Sequence, residues 1–128
     1  MSEFADERPR VLVVDDNRDA AATLGFLLAG AGYRVETRFG GEPALNAVEE
    51  FEPDACVLDI AMPGMDGYEL ARRLKARRPD RPPVLAAVTG FRDVEHVERA
   101  GEAGFDLYFT KPANPTEMAA KLRGCLGL

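Results

Sequence analysis

Short apolar runs alternate with longer amphipathic stretches along this chain, five times over. The runs near residues 10–14, 34–38, 55–58, 84–88 and 106–109 have the length and bounding turns of strands. Helical spacing of apolar positions predicts helices near 17–30, 42–50, 66–77, 93–103 and 115–126. Strict strand–helix alternation implies a parallel sheet with helices on both faces. The first, third and fourth runs are apolar throughout, as central strands covered on both sides must be. The second, Arg34-Val35-Glu36-Thr37-Arg38, is charged on alternate positions and reads as an edge strand. The fifth carries Asp106 and Tyr108, which suits the opposite edge. The expected architecture is a doubly wound (βα)5 α/β fold with strand order 2-1-3-4-5.

Local punctuation agrees with these elements. Gly32 and Gly104 follow the first and fourth helical patterns, where a left-handed cap belongs. Asp66-Gly67-Tyr68-Glu69 reads as a capping box, with Asp66 capping the amides and Glu69 reaching back. Asn114-Pro115-Thr116-Glu117 repeats the pattern, with Pro115 at the first helical position. Pro79, Pro82 and Pro83 close the third helix and stiffen the connection to the fourth strand.

Composition narrows the class. The 128 residues suit one domain, read here as residues 10–128 after a flexible tail of residues 1–9. A hydrophobic fraction of 46% is enough for a core. No apolar run approaches the ~18 residues of a membrane span. The polar first ten residues do not resemble a secretory signal. A net charge of −6 argues against direct nucleic-acid binding and fits a cytoplasmic protein that meets a basic partner or a metal ion. Cys56 and Cys125 match no zinc spacing and read as reduced thiols in or near the core. His96, with no second His or Cys nearby, reads as a surface side chain.

The chemistry gathers where the strands end. Val11–Val14 runs into Asp15-Asp16, and the third run closes on Asp59 before a Pro63-Gly64 turn. The fourth runs into Thr89, and the fifth, through Thr110, into Lys111-Pro112. In open α/β sheets the carboxyl edge is where ligands bind. Three carboxylates at close range repel one another, and a divalent cation among them makes the arrangement favourable. An all-oxygen, partly hydrated site suits Mg²⁺, or Mn²⁺ in its place. Asp16, together with Asn17, has the alternative of capping the first helix. A metal, an amine and a hydroxyl around one carboxylate form a site for phosphoryl transfer onto that carboxylate.

These residues in this order, across residues 10–126, resemble the receiver domains of two-component response regulators, the chemotaxis response regulator among them. The resemblance rests on Asp15-Asp16, the segment Asp59-Ile60-Ala61-Met62-Pro63-Gly64-Met65-Asp66-Gly67, Thr89-Gly90 and Lys111-Pro112. It implies a flavodoxin-like fold with Asp59 as phosphoacceptor, and a metal site of Asp15, Asp16, Asp59 and the Ala61 carbonyl. Thr89 and Lys111 then bind phosphoryl oxygens, Tyr108 is the aromatic switch partner of Thr89, and the Lys111–Pro112 bond is cis. The implied donor is a sensor histidine kinase or a histidine phosphotransfer protein. The expected output is a repacked surface of the fourth helix, fifth strand and fifth helix, docking on a downstream protein or pairing weakly with a second copy. The protein is then a switch rather than an enzyme, either stand-alone or part of a larger regulator such as a hybrid kinase. Ala61 and Phe91 flank the expected path of attacking water, and neither orients a water molecule, so slow self-dephosphorylation is expected. For Tyr108 the plain alternative is an edge-strand aromatic, and for Phe91 a loop aromatic packed on the fourth helix. Two other functions fit parts of the pattern. One is a phosphate-independent docking module of the same fold. The other is a haloacid-dehalogenase-like phosphatase, which leaves Asp59 unexplained.

Overall fold

The computed structural model describes residues 6–128. Part of the expected tail, residues 1–5, lies outside the described residues. Ten elements alternate along the chain: β1 (Arg10–Val14), α1 (Arg18–Gly30), β2 (Arg34–Arg38), α2 (Gly41–Phe51), β3 (Ala55–Asp59), α3 (Gly67–Arg77), β4 (Val84–Thr89), α4 (Val94–Ala103), β5 (Leu107–Thr110) and α5 (Pro115–Leu126). The five strands form one parallel sheet in the order β2-β1-β3-β4-β5.

Strand periodicity divides the core into two layers. Val11, Val13, Val57, Ala86 and Val88 point to one face, where Ala21 and Leu28 of α1 and Met118 and Leu122 of α5 cover them. Leu12, Val14, Cys56, Leu58, Leu85 and Ala87 point to the other, beneath α2, α3 and α4. Both layers are apolar, so the central strands need side chains that tolerate burial on either side. Removing one such side chain, Leu58→Ala for example, costs about 2–5 kcal/mol. Tyr33 brings a polar group into the first layer. Its ring is fully buried, and its hydroxyl donates to the Ala119 carbonyl at 2.7 Å, tying the start of β2 to α5.

The ends of elements show where local signals compete. Asn17, not Asp16, caps α1, its side chain accepting from the Ala20 amide at 3.1 Å. Asp66 caps α3 through the Glu69 amide at 2.9 Å, and Asn114 caps α5 through the amides of Thr116 and Glu117. The return arms of both boxes go elsewhere: Glu69 pairs with Arg73 and Glu117 with Lys121, each one helical turn on. The fifth strand starts one residue later than its pattern, and just before it the Asp106 carboxylate accepts from the Leu85 amide at 2.9 Å and pairs with Lys75. Cys56 is buried as expected, and burial pushes its thiol up to about 12. Cys125 is exposed, a correction to its core reading: it lies on the outer side of the last turn of α5. His96 is partly exposed at the surface, and its ring stacks on Phe91.

Candidate functional site

The carboxyl edge of the sheet carries the site because three neighbouring strands run out there at different lengths. β1 stops at Val14, and the Asp15 amide still bonds the Arg38 carbonyl of β2 at 3.2 Å. The Asp15 carboxylate accepts from the Asn17 amide at 2.9 Å, so the turn into α1 fixes its rotamer. Asp16 is exposed and takes no part in the cap, which leaves its carboxylate free for the edge. β3 and β4 each run one residue further than their apolar patterns, so Asp59 and Thr89 are themselves ladder residues, opposite Val88 and Thr110. Both are buried. The Asp59 carboxylate accepts from the Ala61 amide at 3.3 Å.

Lys111 closes the site from the β5 side. Its amide donates to the Thr89 carbonyl at 2.8 Å, and the Lys111–Pro112 peptide is cis. Its Nζ lies 3.3 Å from Asp15 Oδ2 and 3.5 Å from Asp59 Oδ2. The carboxylates of Asp15, Asp16 and Asp59 offer oxygens within 4.8 Å of one another. This concentration of charge shows in the titration of its members. Burial, and then the charge of Asp15, hold the Asp59 carboxyl above its ordinary range, against the pull of Lys111. Burial alone would lower the Lys111 ammonium, but the charges of Asp59 and Asp15 outweigh it and hold it above its ordinary value. One lysine does not balance three carboxylates. Oxygen donors at this spacing fit a hard cation.

The remaining predicted residues fall into two groups. Thr89 lies at the edge, and its Oγ1 accepts from the Phe91 amide at 3.3 Å. Tyr108 is half-buried, packs against the core under α3 and α4, and donates its hydroxyl to the Phe91 carbonyl at 2.7 Å. Ala61 is exposed beside Asp59. The Phe91 ring stacks on His96 of α4 with centroids 3.9 Å apart. Gly67 is the residue whose part sequence reasoning missed. A Cβ there would lie 2.5 Å from the Asp59 carbonyl oxygen and 2.7 Å from the Ile60 Cα. Its one signal in the sequence is a glycine at the first position of a helix, where most residues serve equally well. Beside the site a groove of about 690 Å³ runs between α1 and the start of α5, lined by Asp15, Asn17, Leu24, Leu27, Lys111 and Pro112.

Residues 11–123 match the model of the response regulator receiver domain family. The chain belongs to that family. The receiver is 37% identical over 119 residues to the DNA-binding response regulator MtrA of Mycobacterium tuberculosis, a match covering 93% of this chain and 51% of MtrA. It is 34% identical over 118 residues to the transcriptional regulatory protein AfsQ1 of Streptomyces coelicolor, covering 92% and 51% of the two chains. The receiver thus spans about half the length of the curated relatives it matches. Among solved structures, a CheY-like receiver domain protein from Methanospirillum hungatei superposes with a TM-score of 0.86 at 29% identity, over 94% of this chain and 95% of that one. The BeF3-activated DrrB receiver domain superposes with a TM-score of 0.83 at 35% identity, over 94% and 99%. The fold is the flavodoxin-like, CheY-type one. The chain is therefore a receiver domain of the two-component response regulator kind, a signalling component rather than a conventional enzyme. Neither the phosphate-independent module nor the dehalogenase-like phosphatase is favoured by these matches. Receivers bind Mg²⁺ at an acidic cluster, and this chain has one. Among the described residues no helix is long and apolar enough to cross a membrane.

Proposed function

We propose that Asp59 accepts a phosphoryl group from the phosphohistidine of a sensor kinase or a phosphotransfer protein. The observation that carries this is the pairing of a buried carboxylate at the end of β3 with the Lys111 ammonium, 3.5 Å away, inside a cluster of three carboxylates. A carboxylate oxygen of Asp59 attacks phosphorus as the P–N bond breaks, and the donor imidazole leaves as a neutral ring after taking up a proton. Lys111 is within reach of the oxygens that gain charge and holds them by hydrogen bonding. Asp15, Asp16, Asp59 and the Ala61 carbonyl would hold Mg²⁺ or Mn²⁺, which supplies positive charge to the same oxygens. Thr89 donates its hydroxyl to a phosphoryl oxygen, and Tyr108 answers that movement by repacking against α4.

The groove beside Lys111 supports docking of a helical donor. Leu27 of α1 lines it and is exposed, as is its sequence neighbour Phe26, so a partner can cover this apolar surface while its histidine reaches Asp59. Residues 10–128 act as one domain, in the cytoplasm, and pass the signal through α4, β5 and α5 to a protein target or a second copy. Incubation with Mg²⁺ and acetyl phosphate, followed by intact mass spectrometry, tests the reading. One phosphoryl adduct is expected, absent in Asp59→Asn and in EDTA. An adduct of equal yield in Asp59→Asn overturns it.

A further inference from the structure

The backbone of Phe91 joins the two switch residues. Its N–H donates to Thr89 Oγ1 at 3.3 Å, and its carbonyl accepts from the Tyr108 hydroxyl at 2.7 Å. Whatever holds the two peptide units of Phe91 therefore sets how Thr89 and Tyr108 sit relative to each other. The side chain of Phe91 is held in turn by His96, in the first turn of α4. The two rings stack with an interplanar angle of 15°. The His96 Nδ1 lies 2.6 and 2.7 Å from the two carboxylate oxygens of Asp93, the cap of α4, and the His96 amide donates to the same carboxylate at 3.3 Å. Nδ1 must carry a proton to make that contact. The His96 carbonyl accepts from the Tyr68 hydroxyl of α3 at 3.3 Å, and Arg99 lies 4.2 Å over the Tyr68 ring. A chain of contacts thus runs from Asp93 through His96 and Phe91 to both Thr89 and Tyr108.

The ionisable group on the imidazole itself is Asp93, and those joined to it through the contacts above are Tyr68 from α3, Arg99 from α4 and Tyr108 from β5. Asp93 is held below the usual carboxylate range by its hydrogen bond to His96, and burial holds Tyr68 and Tyr108 above the usual tyrosine value. Arginine stays charged throughout. Of these residue types, histidine is the one whose ordinary charge change falls between about pH 5 and 8. As a cation it makes a charge-assisted bond to Asp93 and an electrostatic contact with the Phe91 face, both weaker when the ring is neutral.

We propose that His96 is a positioning residue for the switch: as a cation bound to Asp93 it clamps Phe91, and with it the Thr89–Tyr108 link, and loss of that charge loosens the clamp. The movement of Thr89 toward Asp59 is then easier at the upper end of this pH range. The inference rests on the reading of Thr89 and Tyr108 as the switch pair. Its test uses no phosphodonor, so a failure of Asp59 to accept a phosphoryl group would leave the test intact.

The test is an NMR titration of the metal-free, unphosphorylated protein from about pH 5 to 8. It follows the His96 ring protons, the Thr89 methyl and the Tyr108 ring. In the wild type the Thr89 and Tyr108 signals are expected to shift with the midpoint of the His96 ring. In His96→Gln that shift is lost. In Asp93→Asn, which keeps a good helix cap, the shift shrinks while the fold persists. Thr89 and Tyr108 signals that stay flat while His96 titrates, or that titrate equally in His96→Gln, overturn the proposal. A merely structural contact would lower stability in these variants without moving any titration.

Discussion

Gly67→Ala probes the joint between fold and site. Gly67 opens α3 directly under the backbone of the phosphoacceptor strand, and its amide donates to the Ile60 carbonyl at 2.9 Å. An added Cβ meets the Asp59 carbonyl oxygen at 2.5 Å, where ordinary contact begins at 3.4 Å. The strand end and the helix start must therefore part by roughly 0.9 Å, since neither contact is with a side chain that can rotate away. Over-packing of this kind costs about 1–3 kcal/mol. Weakening the Gly67–Ile60 hydrogen bond adds about 1 kcal/mol, and the better helix propensity of alanine returns about 0.5–1 kcal/mol. The net expectation is a loss of about 2 kcal/mol, or a melting midpoint lower by roughly 6–10 °C for a domain of this size. Because the strain falls on Asp59, the rate of phosphoryl acceptance drops as well, by about 10-fold or more, as misplacement by a fraction of an ångström implies. Thermal melts and acetyl phosphate time courses on the same samples measure both. Gly101→Ala is the control: nothing lies within 4 Å of its Cβ position in α4, so it gains about 0.5–1 kcal/mol instead. A Gly67→Ala protein as stable as the wild type would refute the close approach of α3 to Asp59.

Other expectations follow from the charges and the exposure. The folded-state pKa of Asp59 lies above its unfolded value, so the folded protein binds the extra proton in between. Stability of the metal-free protein therefore falls as pH rises through that window and stays lower above it. Asp59→Asn should melt higher than the wild type at pH 7 without metal, and Mg²⁺ should raise the melting point of the wild type more than that of the variant. A lower melting point for metal-free Asp59→Asn would contradict this. Ala61→Asn and Phe91→Ala, which admit or orient water, should shorten the phosphoryl half-life, and an unchanged half-life in both variants would remove water access as the limit. A thiol reagent should label Cys125 in the native protein and reach Cys56 only on unfolding, since one is exposed and the other buried with its thiol pushed up to about 12. Equal labelling of the two in the native state would place Cys56 wrongly.

Much of this was legible in the chain because the relevant signals are local. Strand and helix bounds follow from apolar spacing, and the edge positions of β2 and β5 follow from their charges. The acidic cluster was legible because parallel strands place every strand end on one side. What escaped needed tertiary context. Choosing Asn17 over Asp16 as the cap depends on Asp15 already holding the Asn17 amide. The reach-back of Glu69 and Glu117 lost to partners four residues on, which the capping pattern alone does not weigh. The tightness at Gly67 depends on where α3 lands on β3. The Phe91–His96 stack joins a loop to a helix face, so a histidine that looks solitary in sequence has a partner in the fold.

The central claim is that Asp59 carries the phosphoryl group. Borohydride reduces an aspartyl phosphate to homoserine, so the phosphorylated protein can be trapped, digested and mapped by peptide mass spectrometry. The account predicts homoserine at position 59, requiring Mg²⁺ and a phosphodonor. Homoserine at position 15 or 16 instead, or a phosphoryl adduct with position 59 unreduced, would contradict it.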